Sequence, residues 1–168
     1  YGDNQAHSTS ITYTPDGAAL VYTRASLNTR GRQQLYRLDL NTGISEAFPG
    51  APERSYDPMF SPDGRWLLFA ARDGAATDIW VLPADPDTTG TGRTPVPRRL
   101  TSLSFARAPA VSPDGTLLAF LAIPPGDIGF ELWVADLDMS GAVPQASNPR
   151  QITQNMHLEV DSRLSWTQ

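Results

Sequence analysis

The sequence predicts an all-β fold: a β-propeller segment of three four-stranded antiparallel blades plus one extra strand. Three observations carry this. A four-residue turn recurs, as TPDG from Thr14, SPDG from Ser61 and SPDG from Ser112, with spacings of 47 and 51 residues. Behind each copy follow an apolar run and then an aliphatic–aromatic pair. Finally, 13 glycines and 15 prolines punctuate 168 residues. That suits many short strands joined by turns. No segment carries a sustained 3.6-residue apolar stripe, so helical repeats fail.

The elements follow in order within each repeat. A first strand ends at the turn. In the turn, Pro15, Pro62 and Pro113 preset φ. Asp16, Asp63 and Asp114 can accept bonds from nearby amides. Gly17, Gly64 and Gly115 can take the positive φ that closes a hairpin. These nine residues are structural. The second strand is apolar at consecutive positions (ALVYTR, WLLFAAR, LLAFLA), which implies burial on both faces. The third carries the pair Leu35-Tyr36, Ile79-Trp80 or Leu132-Trp133, expected in the core. The fourth is ISEAF, RRLT or RQIT. Stacked four-stranded sheets at a period of about 40 to 50 residues are propeller blades. A two-sheet sandwich explains the strands but not the period. The repeats run over about 8–55, 56–106 and 107–158, and 159–168 match the first strand of a fourth.

Composition removes several function classes. The net charge is −5, and all 13 basic residues are arginine. No basic patch of the kind that holds nucleic acid is evident. With no cysteine, thiolate metal sites and disulfides are excluded. No apolar run is long enough for a membrane span. The polar opening YGDNQAHSTS has no signal-peptide pattern, so an export signal would lie upstream.

Other propeller signatures fail: there is no Gly-His or Trp-Asp pair, no Gly-Gly pair, and the Asp-Gly of each turn is contiguous. What stands here is a proline before an aromatic, then SPDG, an apolar strand and an Ile-Trp pair. DPMFSPDGRWLLFAARDGAATDIWVLPAD from Asp57 is a full copy, and APAVSPDGTLLAF from Ala108 a second. In these the chain resembles the WD-repeat-like propeller units of TolB and its relatives. The first repeat departs, with Thr14 for serine and Ile11 where Pro58 and Pro109 stand. The resemblance implies an extracytoplasmic interaction platform, in that family for envelope lipoproteins and other proteins. It also implies a six-bladed ring, about twice this chain. The expectation is therefore a fragment of a longer protein, or self-association through the end blades.

For chemistry the sequence offers little. There is no G-x-S-x-G elbow and no phosphate loop. The two histidines, His7 and His157, read as solvated. Asp85 and Asp87 fall in a Pro/Thr/Gly-rich insertion, so no metal site and no cofactor are expected. Candidate binding residues lie in the segments entering each first strand, which ring a propeller's channel: Arg54, Tyr56, Asp57, Arg107, His157, Glu159 and Asp161. Mixed charge with an aromatic suits a protein or peptide partner; ordinary hydrated loops are the plain alternative. Three functions follow: a non-catalytic protein-binding scaffold, the substrate-gating propeller of a serine peptidase whose hydrolase domain lies elsewhere, or the extracytoplasmic sensor of a regulator.

Overall fold

The computed structural model describes residues 6–26, 32–85, 94–160 and 163–166. Twelve strands form three sheets, each a four-stranded antiparallel meander in chain order. The first holds β1 (Ala6–Tyr13), β2 (Ala19–Ser26), β3 (Gln33–Asp39) and β4 (Ser45–Ala47). The second holds β5 (Ser55–Phe60), β6 (Trp66–Asp73), β7 (Ala76–Pro83) and β8 (Arg98–Arg99). The third holds β9 (Ala106–Val111), β10 (Leu117–Ala122), β11 (Glu131–Asp138) and β12 (Gln145–Gln151). The recurrent turn joins the first and second strand of every sheet. Its glycines sit at φ of 71°, 71° and 75° at Gly17, Gly64 and Gly115, the left-handed region that glycine enters at no steric cost.

The turn is the same machine three times. Ser61 Oγ donates to Asp63 Oδ1 at 2.6 Å and accepts from the Trp66 amide at 3.0 Å. Ser112 does the same with Asp114 and Leu117, and Thr14 with Asp16 and Ala19. Each aspartate carboxylate is thus engaged within its own turn. The threonine of the first copy serves as well as serine because only the hydroxyl is used.

Two cores lie between the sheets. Leu67, Phe69 and Ala71 of β6 join Val21, Leu35 and Phe48 of the first sheet. The alternate residues Leu68 and Ala70 join Leu118, Phe120 and Ala122 of β10. The middle sheet is therefore buried on both faces, which is what a continuous apolar strand requires. In β2 burial alternates: Ala19, Val21 and Thr23 are buried, Leu20 and Tyr22 only partly. Both-face burial fails there because no further sheet covers the outer face. In the first two aliphatic–aromatic pairs the aliphatic member is the better buried, whereas Leu132 and Trp133 of the third are both only partly buried. Leu35 and Ile79 are fully buried, whereas Tyr36 and Trp80 pack only partly. The fourth strand of the third sheet starts earlier than RQIT, at Gln145. A bulge between Val134 and Asp136 lets it run on, and Asn148 there bonds the Asp136 carboxylate at 2.8 Å.

Residues 163–166 belong to no ladder, and 161, 162, 167 and 168, with Asp161, lie outside the described residues. The Trp166 indole nonetheless donates to the Ala110 carbonyl of β9 at 3.1 Å.

Candidate functional site

The first strands β1, β5 and β9 lie side by side, so the inner edges of the sheets gather along one axis. Each is broken by a bulge at the same repeat position. The ladder shifts register between Thr9 and Ile11, between Tyr56 and Met59, and opposite Ala119–Leu121. The bulged residues Ser10, Asp57 and Ala108 have φ of 50°, 56° and 51°. Left-handed backbone at a residue with a side chain costs about 1 kcal/mol, so the packing around it imposes this geometry. A bulge re-aims side chains; here it turns them toward the axis.

Asp57 is the hub. Its carboxylate accepts from Ser10 Oγ at 3.2 Å in the first sheet. From the third sheet it accepts Arg107 Nε at 3.0 Å, Arg107 Nη2 at 3.2 Å and the Ala108 amide at 3.3 Å. The Arg107 guanidinium also lies over the Tyr56 ring, 4.5 Å from its centroid, and Tyr56 donates to Thr77 at 3.2 Å. A bidentate arginine–carboxylate pair is geometrically specific. One carboxylate thus ties three sheets together.

Of the sequence candidates, the structure brings together Tyr56, Asp57 and Arg107. It places them in the starts of strands rather than in loops, with most of their polar atoms already engaged. Arg54 stands exposed in the turn before β5, and Glu159 is exposed beyond β12. His157 is elsewhere again, its Nε2 3.6 Å from Asp127 Oδ1. Among the described residues no hydrogen bond joins a histidine to a serine.

Beside the hub lies a pocket of about 240 Å³. Ser10, Asp57, Ala108 and Arg163 line it, together with Pro58, Pro109 and Leu164. Arg163, 55 residues after Ala108 in the sequence, thus joins the equivalent bulge positions of the three blades at one cavity. Sequence reasoning missed Ser10 and Arg163, although the repeat spacing points to both.

It also missed a set of buried carboxylates. Asp78 and Glu131, each just before an aliphatic–aromatic pair, are 1% and 0% exposed. Asp78 accepts from Thr101 Oγ1, the Leu103 amide and Arg99 Nη2, all at 2.9 Å. Glu131 accepts from Thr153 Oγ1 at 2.6 Å and from the Met156 and His157 amides at 2.8 and 3.1 Å. The Thr153 hydroxyl first, then those amides, hold the Glu131 carboxyl below the usual glutamate range. The threonines complete the motif by accepting from the Ile79 and Leu132 amides at 3.0 and 2.9 Å.

Meanders packed face to face around a common axis, first strands innermost, define three blades of a β-propeller whose ring is not closed. The fold is that of the TolB-like propellers. Among solved structures the chain is similar to the propeller domain of the trilobed protease from Pyrococcus furiosus, with a TM-score of 0.63 and 14% identity over 90% of this chain and 44% of that one. It is also similar to a TolB candidate from Agrobacterium tumefaciens, with a TM-score of 0.58 and 20% identity over 86% of this chain and 49% of that one. Two curated relatives are the uncharacterized peptidase YuxL of Bacillus subtilis, 29% identical over 108 residues, and the uncharacterized protein Atu1656 of Agrobacterium fabrum, 24% identical over 136 residues. These matches cover 61% and 75% of this chain but only 15% and 42% of the relatives. No family model matches.

Proposed function

We propose that the chain is the binding part of a TolB-like propeller: a non-catalytic module that receives a protein or peptide segment at the channel, outside the cytoplasm. The observation that supports this is the pocket where Ser10, Asp57, Ala108 and Arg163 converge. It pairs apolar proline and leucine walls with a few placed polar groups, the usual make-up of a ligand site. Tyr56, Asp57 and Arg107 act as its frame, and exposed Arg163 as the group that meets the ligand. The test is to pan a displayed random-peptide library on the chain and titrate enriched peptides into the wild type and Arg163→Glu. Affinity should fall at least about tenfold in the variant, a loss of 1.4 kcal/mol or more. Failure to enrich any peptide, or equal affinities, removes this reading.

A second reading has its own support. The relative named a peptidase and the protease propeller both belong to longer chains, of which this chain spans 15% and 44%. Here the blades would gate substrate entry to a hydrolase domain encoded beyond this chain. A downstream G-x-S-x-G in the full reading frame favours it. A membrane span with a cytoplasmic domain would favour the sensor instead. On every one of these readings the chain alone hydrolyses no peptide or ester substrate.

A further inference from the structure

A buried carboxylate paired with an arginine in the second blade has no arginine partner at the equivalent position of the third. Asp78 and Glu131 hold the same place, and each accepts from a threonine hydroxyl; Asp78 accepts in addition from one backbone amide and Glu131 from two. Asp78 has a countercharge, Arg99, which lies opposite Trp80 across the β7–β8 ladder. Opposite Trp133 the corresponding residue is Gln151. Gln151 keeps one duty of Arg99: its Nε2 donates to the Thr153 carbonyl at 2.7 Å, as Arg99 Nε donates to that of Thr101 at 2.9 Å. It brings no charge. A fully buried carboxylate without a cation is costly.

Two other ionisable side chains approach Glu131 instead. Asp127 and His157 each place a ligand-type atom with one from Glu131, all within 4.8 Å of one another. Backbone fixes both. Asp127 Oδ1 accepts from the Ile128 amide at 2.7 Å. Leu158 pairs with Phe130 through an amide-to-carbonyl bond of 2.7 Å, which sets His157 beside Glu131. The imidazole then lies so close on Gly129 that a Cβ there would collide with its ring. Two carboxylates and one imidazole remain net negative even with the imidazole protonated. This donor set matches a first-row divalent ion such as zinc, bound by one nitrogen and two carboxylate oxygens at about 2.0 to 2.2 Å. The half-exposed His157 and the loop-borne Asp127 can close the remaining gap, since their side chains are 54% and 27% exposed.

We propose that Asp127, Glu131 and His157 form a divalent transition-metal site that replaces, in the third blade, the arginine countercharge of the second. The test is calorimetric titration of zinc chloride into the metal-stripped chain, with thermal melts in parallel. One zinc per chain should bind and raise Tm. His157→Ala should weaken binding at least about tenfold, with its circular dichroism unchanged, whereas His7→Ala should not weaken it. Gln151→Arg restores the second-blade arrangement, so it should raise Tm without metal and weaken zinc binding. The proposal falls if the wild type takes up no zinc. It also falls if His157→Ala or Gln151→Arg binds zinc as tightly as the wild type.

Discussion

Asp16, Asp63 and Asp114 show how a single residue type can repeat without being a site. Each accepts a hydroxyl bond from the residue two before it and an amide bond from the residue two after it. Both bonds favour the ionised form. For Asp16 and Asp114 the hydroxyl bond, from Thr14 or Ser112, is the largest cause of a pKa below the usual aspartate value. At Asp63 burial pushes upward, but the bonds from Ser61 and Arg65 outweigh it and the net shift is downward. A depressed folded pKa contributes stability fully present above the ordinary value of 3.8 and lost as pH falls through the lower folded value. Tm should therefore hold steady from neutral pH down to about 5 and drop below about 4. The triple variant Asp16→Asn, Asp63→Asn, Asp114→Asn should start lower and lose less of its Tm in acid. Parallel acid slopes for the two proteins would contradict this origin. The role of these residues was legible because the turn is local, and proline, aspartate and glycine each have one backbone job there. Arg107 was legible only as a polar residue near a strand start, because its partner Asp57 stands 50 residues away.

At the scale of the element, the third strand of the later blades is anchored at its buried end by an acid and a threonine. The pattern was in plain view: QLY, DIW and ELW put a polar residue ahead of each pair, and RRLT and RQIT end in threonine. It reads as ordinary strand alternation until the ladder sets Trp80 opposite Arg99 and Trp133 opposite Gln151. Register across a long connection is what the sequence does not carry. In the first blade Gln34 stands in the acid's place, and Ser55 Oγ, not a threonine just after the fourth strand, accepts from the Leu35 amide at 3.1 Å. Asp78→Ala strands the Leu103 amide and Arg99, and should cost about 3 kcal/mol. Thr101→Val leaves the Ile79 amide without its acceptor and should cost about 2 kcal/mol. Urea denaturation of the two single variants and the double measures both. Because the two groups share one bond, the double should cost less than the sum. Strict additivity would show that they do not act as a unit.

For the whole molecule, period, strand count and turn chemistry were legible because they recur. The gathering of Ser10, Asp57, Ala108 and Arg163 at one pocket was not, since it depends on how blades rotate about an axis. The same stacking leaves one consequence at the outer face of the first blade. Ile11 and Tyr13 lie on one face of β1, 48% and 65% exposed, with Tyr22 and Leu20 beside them on β2. The opposite face of that sheet is packed through Val21 and Leu35. Contiguous apolar surface of this kind drives association in water. In a closed ring a neighbouring blade covers it; for this chain by itself a second copy is the available cover. Light scattering on the isolated 18.2 kDa chain should therefore give a mass that rises with concentration. The double variant Ile11→Asp, Tyr13→Asp puts charge on that face without touching either core, so it should return the mass to that of a single chain. A monomer at every concentration would show that the face is tolerated bare. Association undiminished in the double variant would place the contact on another surface.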